Sequence, residues 1–484
     1  MQQATAQPAV DSGTGPDAPR IDLSRFVKAY DVRGVVGVEL TVGVARALGG
    51  AFATLLLGEA GGETGDPGER LSVVIAHDMR DSSPELSSAF ADGVTAAGVD
   101  VVMAGLGSTD MLYFASGHLG LPGAMFTASH NPARYNGIKL CRAGAVPISL
   151  ATGLDRMRDD AQAVLDGAAQ LPRAATPGTV SERNVLAEYA DYLRTLVDLT
   201  GIRPLHVVVD AGNGMAGYTV PEVFQGLPLQ VDPLYFELDG TFPNHEANPL
   251  EPANLVDLQA EVRRVGADIG LAFDGDADRC FVVDERGEPV SPSAVTALVA
   301  TRELARKPGS TILYNLITSR VVPEMVTEAG GTAVRTRVGH SFIKAEMART
   351  GAVFGGEHSA HYYFEDFFRA DTGMLAAMHV LAALGAAQVP LSELAAGYSR
   401  YAASGEINSE VADVPGRIAA VHDWAQAHDA TTDDMDGITV QLPDGSWFNV
   451  RPSNTEPLLR LNVEAATEPA MAQLRDEILA LLRS

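Results

Sequence analysis

The run "LAFDGDADRC" (271–280) sets Asp274, Asp276 and Asp278 at alternate positions just after an apolar, strand-like segment. Three carboxylates this close repel one another unless a cation lies among them, and hard oxygen ligands suit Mg2+ or Ca2+. Counting Glu285, the spacing also fits positions 1, 3, 5 and 12 of an EF-hand loop. The glycine required at position 6 is Arg279, however, and "CFVVDERGEPV" reads as strand and hairpin turn rather than helix. Mg2+ is the favoured ion, because three ligands leave room for a phosphate oxygen; the alternative is a solvated acidic turn.

Four further loops hold residues with chemical potential. "FTASHNPARYNG" (126–137) crowds Thr127, Ser129 and His130 after a buried strand. A hydrolase triad is not expected, since neighbouring side chains rarely face each other productively and no G-x-S-x-G elbow occurs. The choice left open is a plain turn closed by Asn136-Gly137 or a serine that carries a phosphoryl group, which needs a metal, cations and an oxygen nucleophile. "VRPSNTEP" (450–457) joins Arg451 to Ser453, Asn454 and Thr455, either an ordinary turn or a cradle for a phosphate dianion. "GGEHSAHYYFED" (355–366) puts Glu357, Ser359 and His361 on one face if the chain is extended, as a polar strand face or a row that reads sugar hydroxyls. "VGHSFIK" (338–344) adds His340 and Lys344, which have equally good structural readings.

The elements that must position these loops read as α/β. "LSVVIAHD" (71–78), "LHVVVDAG" (205–212) and "STILYNL" (310–316) are buried parallel strands by pattern, each followed by a helix-compatible stretch. Gly212-x-Gly214-x-x-Gly217, with Asp232 beyond, matches a dinucleotide fingerprint; the preferred reading is a tight strand-to-helix turn. A self-similarity of pattern about every hundred residues suggests three α/β units with mixed sheets. The end differs: "GITVQLPDGSWFNVRPSNTEPLLRLNVEA" reads as strands around an Asp444-Gly445 hairpin, then a helix, hence a smaller α+β domain. The expected division is a disordered tail at 1–20 and domains at 21–175, 176–288, 289–397 and 398–484. These carry in turn the serine, metal, Glu-x-Ser and Arg-Ser-Asn-Thr loops.

The 484 residues carry a formal charge of -27, which argues against nucleic acid or an anionic membrane as partner and requires any anion site to gather its cations locally. Two cysteines, an N-terminus without an apolar signal region, and an apolar run "MLAAMHVLAALGAA" too short to span a bilayer together predict a cytoplasmic protein.

"FVKAYDVRG" (26–34), "TASHNP" with "YNGIK", "DGDADR", "GEHSAH" and "RPSNTEP", in this order across nearly the whole chain, resemble the α-D-phosphohexomutase family, specifically its phosphomannomutase/phosphoglucomutase branch. The resemblance implies three α/β domains and a smaller α+β domain around a central cleft. It implies that Ser129 is the phosphoserine and completes a Mg2+ site with Asp274, Asp276 and Asp278. Arg33, Lys139 and Arg279 would lie near the transferring phosphoryl group, with His130 beside it. Glu357 and Ser359 would read the sugar, with Tyr30, His340, Lys344 and His361 close by. Arg451, Ser453, Asn454 and Thr455 would hold the phosphate that is not reacting.

The implied reaction moves phosphate between O1 and O6 of mannose, and of glucose as well, through hexose 1,6-bisphosphate as intermediate and activator. The partners are then hexose phosphates, and the protein a monomer or weak dimer. A main activity on glucose or glucosamine phosphates is the nearest alternative. A Mg2+-dependent sugar phosphatase and a non-enzymatic sugar-phosphate sensor are the alternatives of other classes. "GEHSAH" departs from "GEMSGH" at His358 and Ala360, which flank the sugar-reading residues, and Ile317 stands where several relatives carry Lys.

Overall fold

The strands Ser72–His77, Leu205–Asp210 and Thr311–Asn315 are apolar almost throughout because helices cover both faces of the sheets they enter. The structure, a computed structural model, describes residues 21–61, 70–452 and 458–484, without the side chains of His340 and Ser341. The tail expected at 1–20 lies outside the described residues, as do Ser453, Asn454 and Thr455.

Among the described residues, four sheets follow one another along the chain. The first runs, in spatial order, Val32–Val35, Tyr135–Arg142, Gly123–Phe126, Ser72–His77, Asp100–Leu106 and Val180–Glu182. Its interior is parallel, and the reversal at Gly123–Phe126 against Tyr135–Arg142 makes the sheet mixed. In the second, Ile269–Phe273 lies parallel to Leu205–Asp210 and antiparallel to Cys280–Asp284. The third pairs Thr311–Asn315 parallel to Phe354–Gly356, which turns back antiparallel onto Tyr362–Phe364. The fourth is antiparallel throughout, and Val414–Ala427 and Glu468–Arg483 are its helices. Three mixed α/β units and a smaller α+β unit are thus what the residue pattern predicts.

The cores divide differently from the sheets. One continuous apolar cluster runs from Val74 through Val208 and Leu298 to Leu391, joining the first three units, while residues such as Ile438, Phe448 and Ile478 form a separate core in the fourth. A buried carboxylate reinforces the joint. Asp110 accepts hydrogen bonds from Tyr189 of the second unit (2.6 Å) and Thr372 of the third (2.7 Å). Burial pushes its carboxyl up to about 6.

"MLAAMHVLAALGAA" forms all but the first residue of the buried helix Gly373–Ala386 and its C-cap, Ala387. The 19-residue helix Val42–Ala60 is long and apolar enough to cross a membrane by length and composition; here Leu48, Phe52 and Leu55 are buried in the core of the first unit.

Candidate active site

The serine loop leaves the strand Gly123–Phe126 and returns as Tyr135–Arg142. Ser129 sits at its tip with φ +51, a left-handed conformation that an L-residue adopts only when its surroundings hold it there. Thr127 Oγ1 accepts its amide hydrogen at 2.9 Å. Its own hydroxyl donates to Asp274 Oδ2 at 2.8 Å across 145 residues of sequence.

The metal loop is a hairpin connection between Ile269–Phe273 and Cys280–Asp284, as the strand reading required. Asp274, Asp276 and Asp278 are all buried, with ligand oxygens within 4.8 Å of one another. Asp276 Oδ1 and Asp278 Oδ1 are buried without a hydrogen-bond donor among the described residues, while the other oxygen of each is bonded to Lys139 at 2.8 and 2.6 Å. Buried oxygens left bare beside bonded ones fit a hard divalent cation, the class to which Mg2+ belongs. Burial pushes the Asp274 carboxyl up, opposed by Arg279 and reinforced by Asp278 and Asp276. Burial acts the same way on Asp276, but the Lys139 charge and hydrogen bond carry it well below the usual range. Gly275 is required here: a Cβ would come within 2.4 Å of the Ser129 carbonyl oxygen.

His130 corrects one expectation. Its Nδ1 lies 3.2 Å from Ser129 Oγ, so the adjacent rings and hydroxyl do face each other. The left-handed turn at Ser129 brings them together. The same Nδ1 is in hydrogen-bond contact with the guanidinium of Arg279. Burial, followed by the charges of Arg279 and Arg33, keeps the ring well below the ordinary histidine range. A neutral imidazole whose lone pair is taken is a poor base.

Glu357, Ser359 and His361 correct another. Residues 357–360 form a turn, with Ala360 at φ +63, because the chain must reverse to pair Phe354–Gly356 with Tyr362–Phe364. Glu357 faces inward, accepting from Asn315, the Gly339 amide and the Tyr363 hydroxyl at 3.2, 3.0 and 2.9 Å. Ser359 Oγ lies 2.9 Å from His361 Nδ1, and His361 Nε2 is 3.8 Å from Asp278 Oδ1, which links this turn to the metal loop. His358 is half-buried and lines a cavity of about 220 Å3 with Tyr398, Trp447 and Glu464, at the seam with the fourth unit.

The cations expected near the phosphates are each paired with a carboxylate. Arg33 binds Asp31 and Asn131, both at 2.8 Å. Arg279 binds Asp274 at 2.8 Å. Lys344 is buried, 2.6 Å from Asp371 and 3.8 Å from the centre of the Tyr113 ring. Arg451 bonds Glu406 at 2.6 Å, and Glu406 also takes Arg460 at 3.1 Å. Cations this far from water need a counter-charge, which the acidic composition supplies. Tyr30 packs edge-on against Phe342, 5.9 Å between ring centres, and lines a mostly apolar cavity of about 480 Å3 with Lys344 and Arg369.

Ser129, His130, Lys139, Arg279, the three aspartates and His361 therefore meet in one cluster. Arg451 is held within its own unit. Gly212 and Gly214 form the strand-to-helix turn before Ala216–Val223, Gly217 lies in the first turn of that helix, and Gly214 backs onto Gly275. Two residues were missed in the sequence. Thr109 clamps Asp276 twice, hydroxyl to Oδ2 at 2.6 Å and amide to carbonyl at 3.0 Å. Arg80 lies beneath the serine loop. Neither sits in a run that signals chemistry by composition.

Models of the four phosphoglucomutase/phosphomannomutase domains match the chain: alpha/beta/alpha domain I at 24–159, domain II at 187–287, domain III at 291–401 and the C-terminal domain at 406–481. A phosphomannomutase of Escherichia coli is 40% identical over 94% of this chain and 98% of that protein. A phosphoglucomutase of Neisseria meningitidis is 34% identical over 94% and 96%. A crystal structure of a phosphoglucomutase/phosphomannomutase family protein from Burkholderia thailandensis superposes with a TM-score of 0.83 at 34% identity, covering 96% of this chain and 97% of that one.

Proposed function

The chain belongs to the phosphoglucomutase/phosphomannomutase family and is a phosphohexomutase; on that premise we propose that it interconverts mannose 1-phosphate and mannose 6-phosphate, and the glucose phosphates too, with Ser129 as phosphoryl carrier. The observation that carries this reading is Ser129 Oγ, 2.8 Å from Asp274 within a buried cluster of three carboxylates, Lys139 and Arg279.

Phosphorylated Ser129 gives its phosphoryl group to the free sugar hydroxyl: the P–O bond to Ser129 breaks as one to the sugar forms. The resulting hexose 1,6-bisphosphate turns over in the cleft, and its other phosphate returns to Ser129. Asp274, Asp276 and Asp278 would hold Mg2+, which when bound offsets charge on the transferring phosphoryl oxygens. Lys139 and Arg279 add fixed positive charge in a site from which water is excluded. Lys139 keeps its proton, since Asp276 and Asp278 outweigh its burial. Arg33 stands beside the serine loop through Asn131. Glu357 and Ser359 would read the hydroxyls, with Tyr30, His340, Lys344 and His361 nearby, and Arg451 with Ser453, Asn454 and Thr455 would hold the other phosphate. A cytoplasmic location is supported by two cysteines that are both buried and unpaired.

The test is Ser129→Ala assayed with mannose and glucose 1-phosphates in Mg2+ and a trace of hexose 1,6-bisphosphate. Isomer formation is expected to vanish while circular dichroism stays that of the wild type. Full activity in the variant would overturn the assignment.

A further inference from the structure

A loop that carries its nucleophile in a left-handed turn needs something to hold its backbone. Between Phe126 and Tyr135 the carbonyls of Ser129, Asn131, Pro132 and the incoming Tyr135 converge on one guanidinium, that of Arg80. Nη2 donates to Ser129 O at 2.9 Å and Asn131 O at 2.7 Å. Nη1 donates to Pro132 O at 3.1 Å and Tyr135 O at 3.0 Å. Nε donates to Asp78 Oδ2 at 3.1 Å. That accounts for all five donors of the side chain, so none is left for a phosphate or a sugar.

The fork is itself fixed. Arg80 is 1% exposed, and Asp78 is held in turn by the Ser83 hydroxyl at 2.6 Å and the Arg80 amide at 3.0 Å. A loop of the second unit seals it: the Phe242 ring lies 5.2 Å from the guanidinium carbon, and a Cβ on Gly240 would come within 2.7 Å of Arg80 Cα. The Ser129 carbonyl is thereby pinned between Arg80 on one side and Gly275 of the metal loop on the other.

We propose that Arg80 is the positioning residue of the phosphoryl-carrying loop, fixing the direction of Ser129 Oγ through four backbone carbonyls; this rests on the phosphoserine reading above. A lysine offers one nitrogen and three donors without the planar fork, so it leaves buried carbonyls unpaired and the loop free to shift. A shift of this kind leaves substrate binding on the other units intact. It spoils in-line transfer and lets water compete for the phosphoryl group.

Arg80→Lys is compared with the wild type for mannose 1-phosphate isomerisation and for inorganic phosphate released per isomer formed. The expected result is kcat lower by about 10²-fold with KM within about threefold. The ratio of phosphate release to isomer should rise by at least about tenfold. Partial unfolding would lower both rates together and leave their ratio unchanged. Wild-type kcat, or an unchanged ratio, overturns the inference. Should Arg80→Lys fail to fold, Phe242→Leu, which strips the ring from the guanidinium, takes its place: a raised ratio supports the proposal and a wild-type ratio overturns it. A wild-type protein that forms no isomer overturns the mutase reading and this inference with it, whereas an active wild type with an unaffected variant overturns the inference alone.

Discussion

The serine–metal cluster and the Arg451 corner of the fourth unit are built on opposite principles. Around Ser129 the described groups are buried or half-buried and their donors nearly all committed, and the apolar core behind them is shared by three units. Around Arg451 the core is separate, and contact with the third unit runs through polar pairs such as Arg320 amide to Glu464 at 3.1 Å and Val338 amide to Asp436 at 3.2 Å. Arg451 itself is held by Glu406. Bond-making needs one geometry, fixed in advance. On the proposed function the Arg451 corner accepts a phosphate from either end of a sugar, which needs a partner it can exchange.

Metal removal strikes the first region hardest. Stripping divalent ions should abolish turnover and leave Asp274, Asp276 and Asp278 facing one another inside the protein. Restoring Mg2+ to about a hundred times its dissociation constant is expected to return about 2.7 kcal/mol of stability, seen as a rise in Tm. A Tm indifferent to Mg2+ would break the idea of a preformed cation site.

A smaller effect tests whether that site is fixed from outside. Thr109→Val removes the hydroxyl clamp on Asp276. Half-saturation by Mg2+, or by Mn2+ measured directly by electron paramagnetic resonance, should shift about 10- to 100-fold. Thr109→Ser should restore it. An unshifted Thr109→Val would mean that the residue only packs.

The mildest change belongs to the exchangeable corner. Arg451→Lys is expected to raise KM for the hexose phosphate about tenfold with kcat nearly unchanged, since it loses the planar fork but no reacting group. Glu406→Gln frees Arg451 and Arg460 of their counter-charge, so KM should move down instead. A kcat loss matching that of the serine–metal cluster would erase the distinction between the two regions.

Sequence alone determined the chemistry available. Asp274, Asp276 and Asp278 declare themselves because carboxylates at alternate positions after a strand have few uses besides a cation. The role proposed for Ser129 was legible once loops with complementary needs were found in order along the chain. The strands were readable because burial on both faces writes itself as unbroken apolar runs.

Tertiary structure decided how those groups are held. "HDMRDSSP" has the composition of a solvated loop, and nothing in it says that Arg80 will lie under residues 129–135. Thr109 and Asp276 are 167 residues apart. The pairing of every expected cation with a carboxylate was equally hidden, as was the turn at 357–360. Local pattern records which face of an element is buried; the partners of a buried charge are set by which loops the folded units bring together.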